Sequence, residues 1–158
     1  MRNNAIPDRI DELQQRYARA LDSKDMQAWL ACFSASGGYV CTTAENEASG
    51  LPVAIMFDDS PERLKDRVKF IEKVWAGTFE DYSTRHFVQR VSHDEGGDVV
   101  AVETNFMVSY SADGGLTQML ATGIYEDEVE LTADGALFRR KKAVIDGSVT
   151  PRYLVYPL

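Results

Sequence analysis

The feature that most constrains this fold is a change of hydrophobic period at Gly77. Upstream, apolar residues recur at helical spacing. Ile10, Leu13, Tyr17 and Leu21 form one stripe behind Pro7 and Asp8, which predicts a helix over 7–22. Met26, Trp29, Leu30 and Phe33 continue the pattern in a short second helix that Ser23 or Asp25 can cap. Ser60-Pro61 supplies an N-cap and a first-turn proline for a third helix, whose stripe is Leu64, Val68, Ile71 and Val74 or Trp75. Downstream of Gly77 the period falls to 2. In VVAVETNFMVSY (99–110), Val100, Val102, Phe106, Val108 and Tyr110 share one face, and Glu103, Asn105 and Ser109 share the other. SADGG (111–115) and ADG (133–135) read as hairpin turns between this strand, a strand over 116–131 and LFRRKKAVI (137–145). Gly123 inside the middle strand marks a bulge or bend. YVCTT (39–43) is an earlier short strand, and AENEASGLPVAIMFDD (44–59) reads as irregular. Three helices followed by long antiparallel strands predict an α+β domain, with the helices on one face of a curved sheet. No repeat, low-complexity tract or linker interrupts residues 1–158, so a single domain is expected.

Charge and composition narrow the function classes. A formal net charge of −8 repels a phosphate backbone, so nucleic acid is not an expected partner. MRNNAIPDRIDEL has no apolar signal core, and no stretch approaches the roughly 20 apolar residues of a membrane span, which predicts a cytoplasmic protein. Cys32 and Cys41 do not make a disulfide framework. The one basic run, Arg139-Arg140-Lys141-Lys142, lies in a strand reading, where alternation predicts two side chains on each face. A solvated or interface-pairing strand is the expected role, rather than an anion site.

Metal chemistry needs converging ligands. A Rieske cluster takes two cysteines and two histidines in paired short spacings, which Cys32, Cys41, His86 and His93 do not supply. If residues 83–93 form a regular strand, His86 and His93 point to opposite faces, so no mononuclear iron site is expected either. Neither a glycine-rich phosphate loop nor GxSxG or CxxC occurs. The pairs Asp58-Asp59 and Asp94-Glu95 sit in turn-like sequence and read as solvated charge.

Several strings, in order, resemble the β (small) subunit of aromatic-ring-hydroxylating, Rieske-type dioxygenases. They are RYARALDSKDMQAWLACFS, GLPVAIMFDDSPERLKDRV, STRHFVQRVS, FMVSYSADGGLTQMLATGIYED and LFRRKKAVIDGSVTPRYLVYPL. The resemblance runs from about residue 10 to residue 158. GLPVAIM and YLVYPL are most similar to small subunits of oxygenases for aromatic acids such as salicylate or terephthalate. What it implies is an NTF2-like, or cystatin-like, cone with a strongly curved, mainly antiparallel sheet wrapped around the helices. It also implies a homotrimer or an α3β3 assembly, in which the Rieske [2Fe-2S] cluster and the mononuclear iron belong to the catalytic α subunit. The small subunit would then carry no cofactor and support aromatic-compound degradation as a non-catalytic component.

The same fold hosts stand-alone, cofactor-free dehydratases and isomerases, since fold does not fix function. On that reading, His86 with Asp22, Tyr17, Tyr39 or Arg85 would form an acid/base pocket. On the structural reading, Arg85 and His86 fix the first long strand to the helices or to a neighbouring subunit, with Asp66 or the Asp58-Asp59 pair as partners. Arg67 in the LKDRV helix joins that structural set. Tyr153, Tyr156 and Leu158 belong to a C-terminal run too apolar to hang in water, expected to be buried in the fold or between chains.

Overall fold

The computed structural model describes residues 5–77 and 81–158. Residues 1–4, part of the N-terminal segment read above for a leader, lie outside the described residues. The helices are α1 (Ile6–Asp22), α2 (Met26–Leu30), α3 (Ala44–Ala48) and α4 (Pro61–Phe70), the last running on through a π-helical turn, Ile71–Trp75. The strands are β1 (Tyr39–Thr43), β2 (Met56–Asp58), β3 (Tyr82–His93), β4 (Val99–Ala112), β5 (Gln118–Leu131) and β6 (Ala136–Ile145). They form one sheet in the order β2-β1-β6-β5-β4-β3, antiparallel throughout except for the parallel β1–β6 pair. This is the expected α+β arrangement. The stretch 44–59 is more ordered than expected, because the Thr43 hydroxyl caps α3 by accepting from Asn46 N and because β2 pairs with β1.

The stripe on α1 is what the helix buries: Ile10, Leu13 and Tyr17 are fully inaccessible and Leu21 nearly so. The opposing layer is the inner face of the sheet, where Val100, Val102, Phe106 and Val108 alternate with exposed residues. Aromatic rings fill the space between. Tyr17 meets Phe138 edge-on at 5.5 Å, and Phe106 stacks on Tyr125 at 4.3 Å. Burying each such ring contributes about 1.5–3 kcal/mol relative to leaving it in water.

Three bulges shape the sheet, at Val91, Leu120 and Arg139, each an extra residue against one partner on the neighbouring strand. None lies at Gly123, which pairs in register with Phe106 and Ile145. Gly123 is instead a close approach, since a Cβ there would sit 2.0 Å from the Val144 carbonyl oxygen and 2.9 Å from the Phe106 ring. The bulges also correct two expectations. With Val91 turned outward, His93 returns to the inner side, opposite Val102, and so shares a face with His86. With Arg139 inserted, Arg139, Arg140 and Lys142 all project outward and Lys141 alone is buried, a three-to-one split rather than two and two. No helix among the described residues is long and apolar enough to cross a membrane.

Candidate functional site

His86 and Asp22 are brought together. Asp22 closes α1, and its carboxylate meets β3 edge-on. Oδ1 accepts from the His86 ring at Nδ1 (2.6 Å) and from the Thr84 hydroxyl (3.0 Å), while Oδ2 accepts from the His86 backbone N–H (3.0 Å). Burial pushes the Asp22 carboxyl upward, but the His86 and Thr84 hydrogen bonds outweigh it and hold the group below the usual carboxylate range. The His86 side chain is 2% exposed, and its Nε2 has no hydrogen-bond partner among the described residues. An imidazole held through Nδ1 by a carboxylate is the arrangement of a general base, but one also needs a substrate at hydrogen-bond reach of Nε2. The partner is thus Asp22, not Asp66 or the Asp58-Asp59 pair. Asp66 is exposed on α4, and Asp58 holds Arg67 in a two-pronged ion pair at 2.8 and 3.2 Å. Arg85 is exposed on the outer side of β3.

The other candidates for an acid/base pocket point elsewhere. Tyr17 donates its hydroxyl to the Leu158 carbonyl at 2.6 Å, and Tyr39 engages the Leu158 carbonyl (3.3 Å) and N–H (3.0 Å). Burial pushes both phenols well above their ordinary value. Val155 and Leu158 are buried in the hydrophobic core, Leu158 against Tyr17 of α1 and Tyr39 of β1. Tyr156 packs edge-on against Tyr82 at 6.3 Å, and the half-exposed Tyr153 lies 6.2 Å from Trp75. Leu158 therefore belongs to the core of its own chain.

Deeper inside lies a polar cluster that the sequence reading did not identify. Lys141 Nζ, with no exposed side-chain surface, donates to Asp127 Oδ2 and Gln14 Oε1, each at 3.1 Å. It also sits over three rings, 3.5 Å from the Tyr125 centroid, 4.2 Å from Phe138 and 4.4 Å from Tyr17. Gln14 donates to Asp127 at 2.7 Å and to Thr104 at 3.2 Å. Burial raises the Asp127 carboxyl and pulls Lys141 down to about 8, each resisted by the other's charge. A signal existed in sequence: Asp127 alternates with Tyr125 and Val129, and Gln14 lies between Ile10 and Tyr17 on the apolar stripe.

His93 and His86 share a face but stand about 20 Å apart along the strand, given roughly 3.3 Å per residue. Arg90 donates to His93 Nδ1 at 3.2 Å and clamps Asp11 with its other nitrogens. Among the described residues no group of three or more His, Cys, Asp or Glu is placed to hold a metal ion.

Comparison with known proteins fits this geometry. The family model described as ring hydroxylating beta subunit matches residues 16–152. The chain is 33% identical over 144 residues to the terephthalate 1,2-dioxygenase terminal oxygenase component subunit beta 1 of Comamonas sp, covering 90% of this chain and 92% of that one. It is 28% identical over 147 residues to the anthranilate 1,2-dioxygenase small subunit of Burkholderia cepacia, covering 92% and 90%. Among solved structures, a Novosphingobium aromaticivorans chain assigned as the beta subunit of an aromatic-ring-hydroxylating dioxygenase superposes with a TM-score of 0.81 at 26% identity, over 92% of each chain. With an NTF2-like fold and a match along most of its length, the chain belongs to the ring-hydroxylating dioxygenase beta subunit family.

Proposed function

We propose that this chain is a non-catalytic, cofactor-free single-domain subunit that supports a catalytic large subunit carrying the Rieske cluster and the mononuclear iron. The observation behind this reading is that residues of the same chain already occupy the tyrosine hydroxyls. A stand-alone enzyme of this shape needs a reactant beside His86 and the tyrosines, yet the Tyr17 and Tyr39 hydroxyls bind Leu158 of the same chain. Asp22 is spent on the β3 backbone as well as on the imidazole, as expected of a structural clamp. His86, Asp22 and Arg67 then act structurally, and Arg85, Tyr153 and Tyr156 are available to subunit contacts. The names of the relatives favour an aromatic acid as the substrate of the assembled oxygenase. A cytoplasmic location and a trimeric or α3β3 assembly complete the proposal.

Co-expression with its large subunit tests this reading. The complex should oxygenate a member of an aromatic-acid panel, by oxygen uptake and product analysis, while the isolated chain turns over none. Turnover by the isolated chain, or failure to associate with any large subunit, would refute it.

A further inference from the structure

Residues 147–158 carry no regular secondary structure, and among the described residues no backbone-to-backbone hydrogen bond holds them to the rest of the chain. They nonetheless reach the core, where Leu158 is 1% exposed. Side chains hold them there. The Tyr17 hydroxyl donates to the Leu158 carbonyl at 2.6 Å; the Tyr39 hydroxyl donates to the same carbonyl at 3.3 Å and accepts the Leu158 N–H at 3.0 Å. Arg152 lies 4.1 Å over the Tyr82 ring, and Tyr156 packs on that ring as well. Leu158 is thus held as a small ligand is held, with its apolar group buried and its polar atoms met by a few placed side chains.

One donor at this point is unused. Trp29 is fully buried, and its Nε1 has no hydrogen-bond partner among the described residues. Its indole stands edge-on to Tyr39 at 5.9 Å. Burial raises the Tyr17 phenol and the Trp29 N–H acts against that rise, which places the indole nitrogen beside the Tyr17 oxygen. An indole nitrogen can only donate, and a buried donor calls for an acceptor. A group with two oxygens would use the whole set, one oxygen on the phenols and the other on the indole. A carboxyl group has two such oxygens, whereas the Leu158 amide carbonyl offers one. The surrounding wall is apolar: Phe33 meets Trp29 at 4.9 Å and Tyr17 at 6.4 Å.

We propose that Tyr17, Tyr39 and Trp29 form a binding site for a small apolar monocarboxylic acid, which the chain itself fills with Leu158. Free acid and tethered residue compete for the same hydroxyls. Tethering gives Leu158 an effective concentration on the order of millimolar, so the acid enters readily only when the hold on Leu158 is weakened. The site binds without any chemical step, and the inference stands apart from the subunit reading above.

The test uses the full chain with Leu158→Gly, which keeps the backbone and removes the isobutyl anchor. The probes are isocaproate, which is leucine without its amino group, and isohexanol, the matching alcohol. By isothermal titration calorimetry the variant should bind isocaproate at least about tenfold more tightly than isohexanol, and at least about tenfold more tightly than wild type does. Adding Tyr39→Phe should weaken isocaproate by about tenfold and leave isohexanol unchanged. Melting curves verify that each variant is folded. A folded Leu158→Gly chain that binds neither probe overturns the site. Equal affinity for acid and alcohol also overturns it, and leaves a plain apolar cavity. Acid binding that survives Tyr39→Phe has the same consequence. If Leu158→Gly does not fold, hydrogen exchange in the wild-type chain decides the matter: excess isocaproate, and not isohexanol, should speed exchange of the Leu158 amide at least about tenfold by displacing it from Tyr39, and an unchanged rate overturns the proposal.

Discussion

Lys141→Met should be among the most damaging conservative substitutions in this chain. The methionine fits the aromatic enclosure of Tyr17, Tyr125 and Phe138, so little packing is lost. What is lost is the cation facing Asp127, whose carboxylate also has no exposed surface. Removing one partner of a buried pair leaves an uncompensated charge and costs about 3–5 kcal/mol. Equilibrium unfolding in urea, followed by the fluorescence of the buried Trp29, measures it; at about 2 kcal/mol per molar, the midpoint should fall by roughly 1.5–2.5 M. The variant should also gain relative stability in acid. Burial already raises the Asp127 carboxyl, and without Lys141 it rises further. A folded carboxyl above its unfolded value of 3.8 destabilises at neutral pH, and that loss is recovered as pH falls through the folded value toward 3.8. Adding Asp127→Leu should recover most of the stability, because an apolar replacement of both partners is often neutral. A single-variant loss below about 1 kcal/mol, flat with pH, would refute the buried ion pair as described, since that is the range of exposed pairs.

Three further outcomes follow from the packing. Gly123→Ala should lower the melting temperature by roughly 5–10 °C or prevent folding, because its Cβ meets the Val144 carbonyl and the Phe106 ring; an unchanged calorimetric melt would be inconsistent with that approach. Asp22 has a folded pKa below its unfolded 3.8, so its stabilisation is fully present above 3.8 and is lost as pH falls through the folded value; Asp22→Asn should flatten the acid side of the stability curve below 3.8. Leu158→Ala should cost about 2–4 kcal/mol by chemical denaturation, the usual loss for a cavity at a buried leucine, whereas a tail lying free in solvent would lose almost nothing.

The class of fold was legible because it rests on period. The α1 stripe, the Ser60-Pro61 start and the alternation in β4 appear where expected, since each is repeated over enough residues to be unambiguous. Bulges were not legible. One inserted residue inverts every later side chain, and nothing in VQRVSH or LFRRKK distinguishes an insertion from a regular strand. That is why His93 was expected opposite His86 and the basic run was expected to split two and two. The His86–Asp22 pair was half legible: both residues stood among the candidates, but only the docking of the α1 end on β3 selects Asp22 over Asp66.

The most direct measurement is turnover per assembled complex for His86→Ala, co-expressed with the large subunit and purified as intact oxygenase. If the imidazole only ties β3 to α1, the rate per complex should stay within about twofold of wild type, while stability falls by roughly 1–3 kcal/mol. A rate reduced by about 10²–10⁴ in complexes of unchanged stability would show a general acid or base at His86 and contradict a purely supporting role for this subunit.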